Sequence, residues 1–199
     1  TTNYILSQMT ETGVNYANAL ADAQKQGFAE ADPTNDVCGF DAARKLAILS
    51  SIGFRANVTF DDVLVEGIEK IDKSDIQYAK DMGYTIKLLT VALRQENGIA
   101  LNVYPAFLPD NHPLSSVKGA YNAIYVTGNI VDDVMFYGRG AGALPTASAV
   151  MGDVISTAQH ILNGSTGTGM IMTDTKRIPF YSSLKLQNSY YFRLDVDDV

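Results

Sequence analysis

The sequence predicts an α+β fold, and three observations carry that expectation. Apolar residues recur at helical spacing through most of the first 52 residues. Strand-like alternation dominates from about residue 58 to residue 137. One further apolar helix reads at residues 146–162. With 199 residues, the chain can bury one substantial core, or a domain with an appendage.

Taken in order, residues 3–9 and 14–26 read as helices. The second sets Val14, Ala17, Leu20, Ala21 and Gln24 at helical spacing and stops at Gly27. Residues 28–35 contain Asp32-Pro33 and are expected to be extended or turning, because proline biases its predecessor away from helix. Residues 36–52 predict a strong helix ended by Gly53, with Asp36 as its N-cap. Strands are expected at 58–60, 63–65, 85–93, 99–104, 123–127 and 134–137, with a short helix at 73–82 beginning near Ser74. A Gly-rich turn, Gly138-Arg139-Gly140-Ala141-Gly142, leads into helix 146–162. Residues 163–188 begin with a Gly/Ser/Thr loop and read as a linker. Residues 190–196 alternate like a strand.

Composition narrows the function classes. The net charge is -7 and the basic residues are scattered, which disfavours nucleic acid as a partner. No apolar run reaches the roughly 20 residues of a membrane helix. The single cysteine, Cys38, permits no internal disulfide and fits a cytoplasmic location. Thr1 to Leu6 has no basic region and no initiator methionine. It is not a signal peptide, and it reads as a cut within a longer protein.

The helix at 36–52 is the most informative element. At about 100° per residue, Cys38, Ile48, Leu49 and Ile52 share an apolar face, with Asp41 and Lys45 in the middle of it, four residues apart. A charge pair in an apolar stripe is either a structural ion pair at the edge of the core or part of a polar pocket. In both cases, removing one partner from a buried pair costs on the order of 3–5 kcal/mol. A desolvated lysine beside an aspartate would have a tuned pKa suited to moving a proton. Upstream, Glu30 and Asp32 join Asp36 and Asp41 as four carboxylates within twelve residues. They form either a solvated acidic loop or a cage for a cation, metal or ammonium, and Lys45 among them argues against a metal. The Gly138–Gly142 run is a tight turn or a place of close backbone approach. His112 reads as a surface residue, His160 as a dipole-favoured cap and Cys38 as packing.

The run Gly27-Phe28-Ala29-Glu30-Ala31-Asp32-Pro33-Thr34-Asn35-Asp36-Val37-Cys38-Gly39-Phe40-Asp41-Ala42-Ala43-Arg44-Lys45 resembles the signature of homoserine dehydrogenases. Thr1-Thr2-Asn3-Tyr4-Ile5-Leu6, Leu108-Pro109-Asp110-Asn111-His112-Pro113-Leu114 and Met135 through Val150 resemble further segments of bacterial members, in the same order, so the likeness covers about residues 1–160. The resemblance implies a mixed sheet covered by helices on one face, dimerising through the sheet. It also implies NADPH- or NADH-dependent reduction of aspartate 4-semialdehyde to homoserine, on the route to threonine and methionine.

By matching position, Glu30 binds the substrate amino group, Asp36 and Asp41 line the same pocket with Thr1 beside them, and Lys45 donates the proton. Gly142, with Gly140, touches the cofactor, whose main site lies on a nucleotide-binding domain upstream of Thr1. A second active-site lysine and the family's monovalent-ion site are expected upstream as well. Phe28 stands where some relatives carry tyrosine. Helix 146–162 would pack on the absent domain, leaving an apolar patch (Ala149, Val150, Val154, Ile155, Ile161) partly uncovered, or a rearranged contact. The implied organisation is a catalytic domain at 1–162, a linker at 163–188 and the start of an ACT-like regulatory domain at 189–199. The fragment alone is expected to be inactive.

Overall fold

The computed structural model describes residues 1–140, 142–165, 178–180, 188–194 and 196. Helices α1 (Thr2–Thr12), α2 (Tyr16–Lys25), α3 (Thr34–Val37), α4 (Phe40–Phe54) and α5 (Lys73–Asp81) accompany strands β1 (Leu64–Val65), β2 (Tyr84–Gln95) and β3 (Gly98–Pro109). Strands β4 (Tyr121–Gly128) and β5 (Asp132–Arg139) and helix α6 (Ala143–Leu162) follow.

Local chemistry sets the helix starts. The Asn15 side chain accepts the Asn18 N–H at 2.9 Å and opens α2. Asp72 accepts the Ser74 N–H while Asp75 accepts the Asp72 N–H, both at 2.8 Å, a reciprocal cap that opens α5.

The predicted helix at 36–52 is two elements, not one. Gly39 takes φ +80 between α3 and α4, so Asp36 lies inside α3 and is not the cap of the long helix. A Cβ at Gly39 would sit 3.1 Å from Val103 Cγ1. Residues 58–60 do not form the expected strand; Phe60–Asp62 is a 3-10 turn, because Asp62 accepts the N–H and hydroxyl of Thr59 at 2.8 Å. The described part of 190–196 is not a strand either. Tyr191 instead donates its hydroxyl to Asp75 at 3.0 Å, Arg193 Nη1 donates to the same carboxylate at 2.9 Å, and the Tyr191 ring lies 4.7 Å from that of Phe107. Most of the predicted linker at 163–188 falls outside the described residues.

The sheet order is β1-β3-β2, with β1 parallel and β2 antiparallel to β3. This is the expected mixed sheet. Register places Ile86, Leu88 and Ala92 of β2 on the same face as Ile99, Leu101, Val103 and Phe107 of β3. Two clusters cover that face. One gathers Ile5, Leu6, Met9, Ala23, Ile68, Ile76 and Ile86 under α1, α2 and α5; the other gathers Ala43, Leu46, Ala47, Ile99, Leu101 and Val103 under α4. Helices therefore lie on one face, as expected. Each fully buried aliphatic side chain contributes about 1.5–3 kcal/mol.

The β4–β5 ribbon pairs only with itself among the described residues. Its root is held by a buried polar knot. Lys87 Nζ donates to Asn3 Oδ1 at 2.8 Å and to the Val117 carbonyl, and Asn3 Nδ2 donates to the Gly119 and Tyr121 carbonyls. Helix α6 buries none of its residues. Val150, Val154 and Ile155 are each more than half exposed, but no other residue of α6 is buried either, so among the described residues the helix does not show the expected patch left partly uncovered on an otherwise packed element.

Candidate functional site

The acidic loop and the start of α4 enclose a cavity of about 340 Å³ lined by Gly27, Phe28, Ala29, Glu30, Asp32, Asn35, Asp36, Asp41 and Arg44. Three sequence-predicted residues, Glu30, Asp36 and Asp41, thus share one pocket. Gln24 Nε2 donates to the Glu30 and Ala31 carbonyls at 3.0 and 3.3 Å and pins the loop from α2. Asp32 accepts the Thr34 hydroxyl at 2.6 Å and the Thr34 N–H at 3.1 Å, a tight turn that holds its carboxyl below the usual carboxylate range. Thr1 Oγ1 lies 2.5 Å from the Phe28 carbonyl and 2.9 Å from Asp36 Oδ2, so its single proton serves two acceptors at the pocket wall.

Lys45 Nζ is 2.6 Å from Asp41 Oδ2, so the i,i+4 contact expected from spacing is present. Its environment is not the expected one. The Lys45 side chain is 70% exposed, and the apolar residues beside it, Ile48, Leu49 and Ile52, are exposed as well. Helix α4 turns its small residues, Ala43, Ala47, Ser50 and Ser51, with Leu46, toward the sheet. Small side chains permit the closer approach, and the larger apolar face is left bare. The desolvation expected of Lys45 is therefore not provided among the described residues, and Lys45 does not itself line the pocket.

Gly140 and Gly142 do not share that pocket. A Cβ at Gly140 would fall 2.3 Å from the Asn122 amide, so the room there is already filled. Gly142 has φ +121, opens α6 without a side-chain cap, and would bring a Cβ no closer than 3.4 Å to Pro145. Cys38 is half-buried, and its thiol donates to Glu69 Oε1 at 2.8 Å, which pushes it up to about 11. His112 is partly exposed and accepts the Leu114 N–H on Nδ1 at 3.1 Å, capping the turn Pro113–Ser116.

Sequence reading missed Arg44 and Asn35. Arg44 sits three residues after Asp41 on α4, a spacing that puts the two on neighbouring positions of one helix face and that pointed to it. Loop 66–69 presses on the same region: a Cβ at Gly67 would be 2.3 Å from the Val37 carbonyl and 2.6 Å from Cys38 Cα. No group of three or more His, Cys, Asp or Glu side chains able to hold a metal ion occurs among the described residues. No helix among them is long and apolar enough to cross a membrane.

The homoserine dehydrogenase family model matches residues 1–155. This chain belongs to the homoserine dehydrogenase family. The homoserine dehydrogenase of Bacillus subtilis (strain 168) is 47% identical over 171 residues, covering 86% of this chain and 40% of that protein. The crystal structure of a homoserine dehydrogenase from Thiobacillus denitrificans superposes with a TM-score of 0.84 at 39% identity, covering 90% of this chain and 43% of that one. A hyperthermophilic archaeal homoserine dehydrogenase mutant, solved in complex with NADPH, gives a TM-score of 0.61 at 28% identity, over 79% of this chain and 44% of that one. The chain spans less than half the length of the relatives it matches.

Proposed function

We propose that this chain supplies the substrate pocket of a homoserine dehydrogenase, which interconverts L-aspartate 4-semialdehyde and L-homoserine with NADPH or NADH, in the cytoplasm, for threonine and methionine synthesis. One observation carries the reading: Glu30, Asp36 and Asp41 converge on one cavity, and Asp41 is also in contact with Lys45. The substrate is an amino acid, and its ammonium group suits the carboxylates of Glu30, Asp36 and Asp41. Thr1 steadies Asp36 and the Phe28 carbonyl at the pocket wall.

Lys45 is the proton donor. Asp41, 2.6 Å away, holds its side-chain nitrogen at the pocket edge. As the aldehyde carbon is reduced, its oxygen becomes an alkoxide, which Lys45 stabilises and protonates. A bound nicotinamide supplies the reducing equivalent. Of the two turn glycines, Gly142 fits a cofactor contact, since its backbone is unblocked; Gly140 serves by letting Asn122 lie across the turn. The exposure of Lys45 and of Ile48, Leu49 and Ile52 calls for a cover from beyond the described residues. Pairing with a second copy through the sheet goes with the same reading, as do a catalytic domain at 1–162, a linker at 163–188 and an ACT-like segment from 189.

Two measurements test this. Residues 1–199 alone should show no turnover with NADPH and aspartate semialdehyde, and activity should appear when a nucleotide-binding domain precedes them. In that longer protein Lys45→Ala should lower kcat by roughly 10²–10⁴; an unchanged kcat removes Lys45 from the mechanism.

A further inference from the structure

Carboxylates account for one end of an amino-acid substrate and leave its α-carboxylate without a partner. Among the described residues lining the pocket, Arg44 is the single basic side chain. It is held by two contacts, one to a neighbour in the cavity wall and one to a ring outside it. Its Nη1 donates to Asn35 Oδ1 at 3.1 Å, and its guanidinium carbon lies 5.3 Å over the centroid of the Phe60 ring. Phe60 is in turn set edge-on to Phe40, with centroids 5.9 Å apart and planes at 80°. A guanidinium has five N–H donors in a planar fork. One donor is engaged by Asn35 and one face by Phe60, so donors are left over for a planar anion.

We infer that Arg44 is the residue that takes the α-carboxylate of the substrate and so restricts this pocket to zwitterionic amino acids. The inference rests on the reading of the pocket given above. It makes Arg44 a specificity determinant for binding, separate from the proton transfer at Lys45. Asn35 and Phe60 act through it, by fixing the direction of the fork. The pairing has a clear electrostatic logic: four carboxylates around one cavity favour a cation and repel an anion, and a guanidinium placed among them supplies the local site that an anion needs.

The test uses two fragments of homoserine as inhibitors of the full-length enzyme. 3-Aminopropan-1-ol keeps the ammonium and lacks the carboxylate; 4-hydroxybutanoate keeps the carboxylate and lacks the ammonium. Arg44→Gln should raise the inhibition constant of 4-hydroxybutanoate and the KM for homoserine on the order of 10–100-fold, the worth of a charged hydrogen-bonded pair. The constant for 3-aminopropan-1-ol should move by less than about twofold, and kcat should stay within a few-fold. Arg44→Lys should fall between, since it keeps the charge and loses the fork. Glu30→Gln should show the reverse pattern, weakening 3-aminopropan-1-ol. If Arg44→Gln leaves 4-hydroxybutanoate unchanged, or weakens both fragments equally, the carboxylate role is overturned. If Glu30→Gln leaves 3-aminopropan-1-ol unchanged, the reading of the acidic pocket fails, whatever Arg44 does.

Discussion

Two hairpins in this molecule are written in the same alphabet and meet different fates. In β2–β3, alternation puts Ile86, Ile99 and Val103 on one face, and each is at most 1% exposed beneath the helices. In β4–β5, Ile124, Val126, Val134 and Phe136 alternate just as regularly, yet they are 37–63% exposed. Alternation creates an apolar face; only a partner makes it a core. A lone two-stranded ribbon is marginal in water, so β4–β5 depends on its root and on whatever meets its surface.

The largest expected contrast is between the two apolar faces. Ile86→Ala should destabilise the chain by about 2–5 kcal/mol in urea unfolding, as cavity-forming substitutions do. Phe136→Ala on the ribbon should cost no more than about 0.5 kcal/mol in the same assay. Equal losses would show that the ribbon is packed in solution.

The root of the ribbon comes next. Lys87 is 6% exposed, and burial, helped by Lys118, lowers its ammonium from 10.5 to about 8, with Glu11 opposing. Between those two pH values the unfolded chain retains a proton that the folded chain has released. Stability should therefore rise with pH across that window, and the penalty of the buried charge should be fully felt below it. Thermal melts of Lys87→Met, which cannot titrate, should lack this increment relative to the unsubstituted chain. A constant difference between the two proteins from pH 7 to 10.5 would contradict the shift.

The tail contact is smaller. Asp75→Asn weakens the hold on Tyr191 and Arg193; with Arg193 partly exposed, about 1 kcal/mol is expected, read as hydrogen exchange accelerated several-fold at residues 190–194. Smallest of all is Val154→Ser on α6, which should stay within about 0.5 kcal/mol because Val154 is more than half exposed and no residue of the helix is buried.

Much of this was legible in the residues. Helical spacing located α1, α2 and α5 to within a few positions, and alternation found all five strands, because each signal comes from local geometry; it also marked 58–60 and 190–196, which are not strands. The Asp41–Lys45 contact and the convergence of Glu30 with Asp36 and Asp41 were also readable, the first from spacing and the second from the family signature. What failed was direction. The periodicity of residues 36–52 marks Ile48, Leu49 and Ile52 as a stripe, but α4 has two apolar faces, and the one rich in alanine and serine is the one that fits against β3. The break at Gly39 was invisible for a related reason: glycine is tolerated within a helix, and the lack of room for a side chain beside Val65 and Val103 shows only in the fold. Tyr190–Leu194 alternates like a strand, yet Arg193 and Tyr191 answer to a carboxylate on α5 that no local pattern announces.

Gly67 sets a limit on redesign of the site. With the Val37 carbonyl, the Glu69 carboxylate and Cys38 Cα inside the space of one methyl group, two stretches of main chain meet there with no room for a further side chain. Anyone reshaping the acidic pocket by substitution can exchange the walls at will but cannot thicken this seam. Even alanine at that point would wedge the turn bearing Asp36 away from its support. The carboxylates would lose their common focus although none of them had been altered.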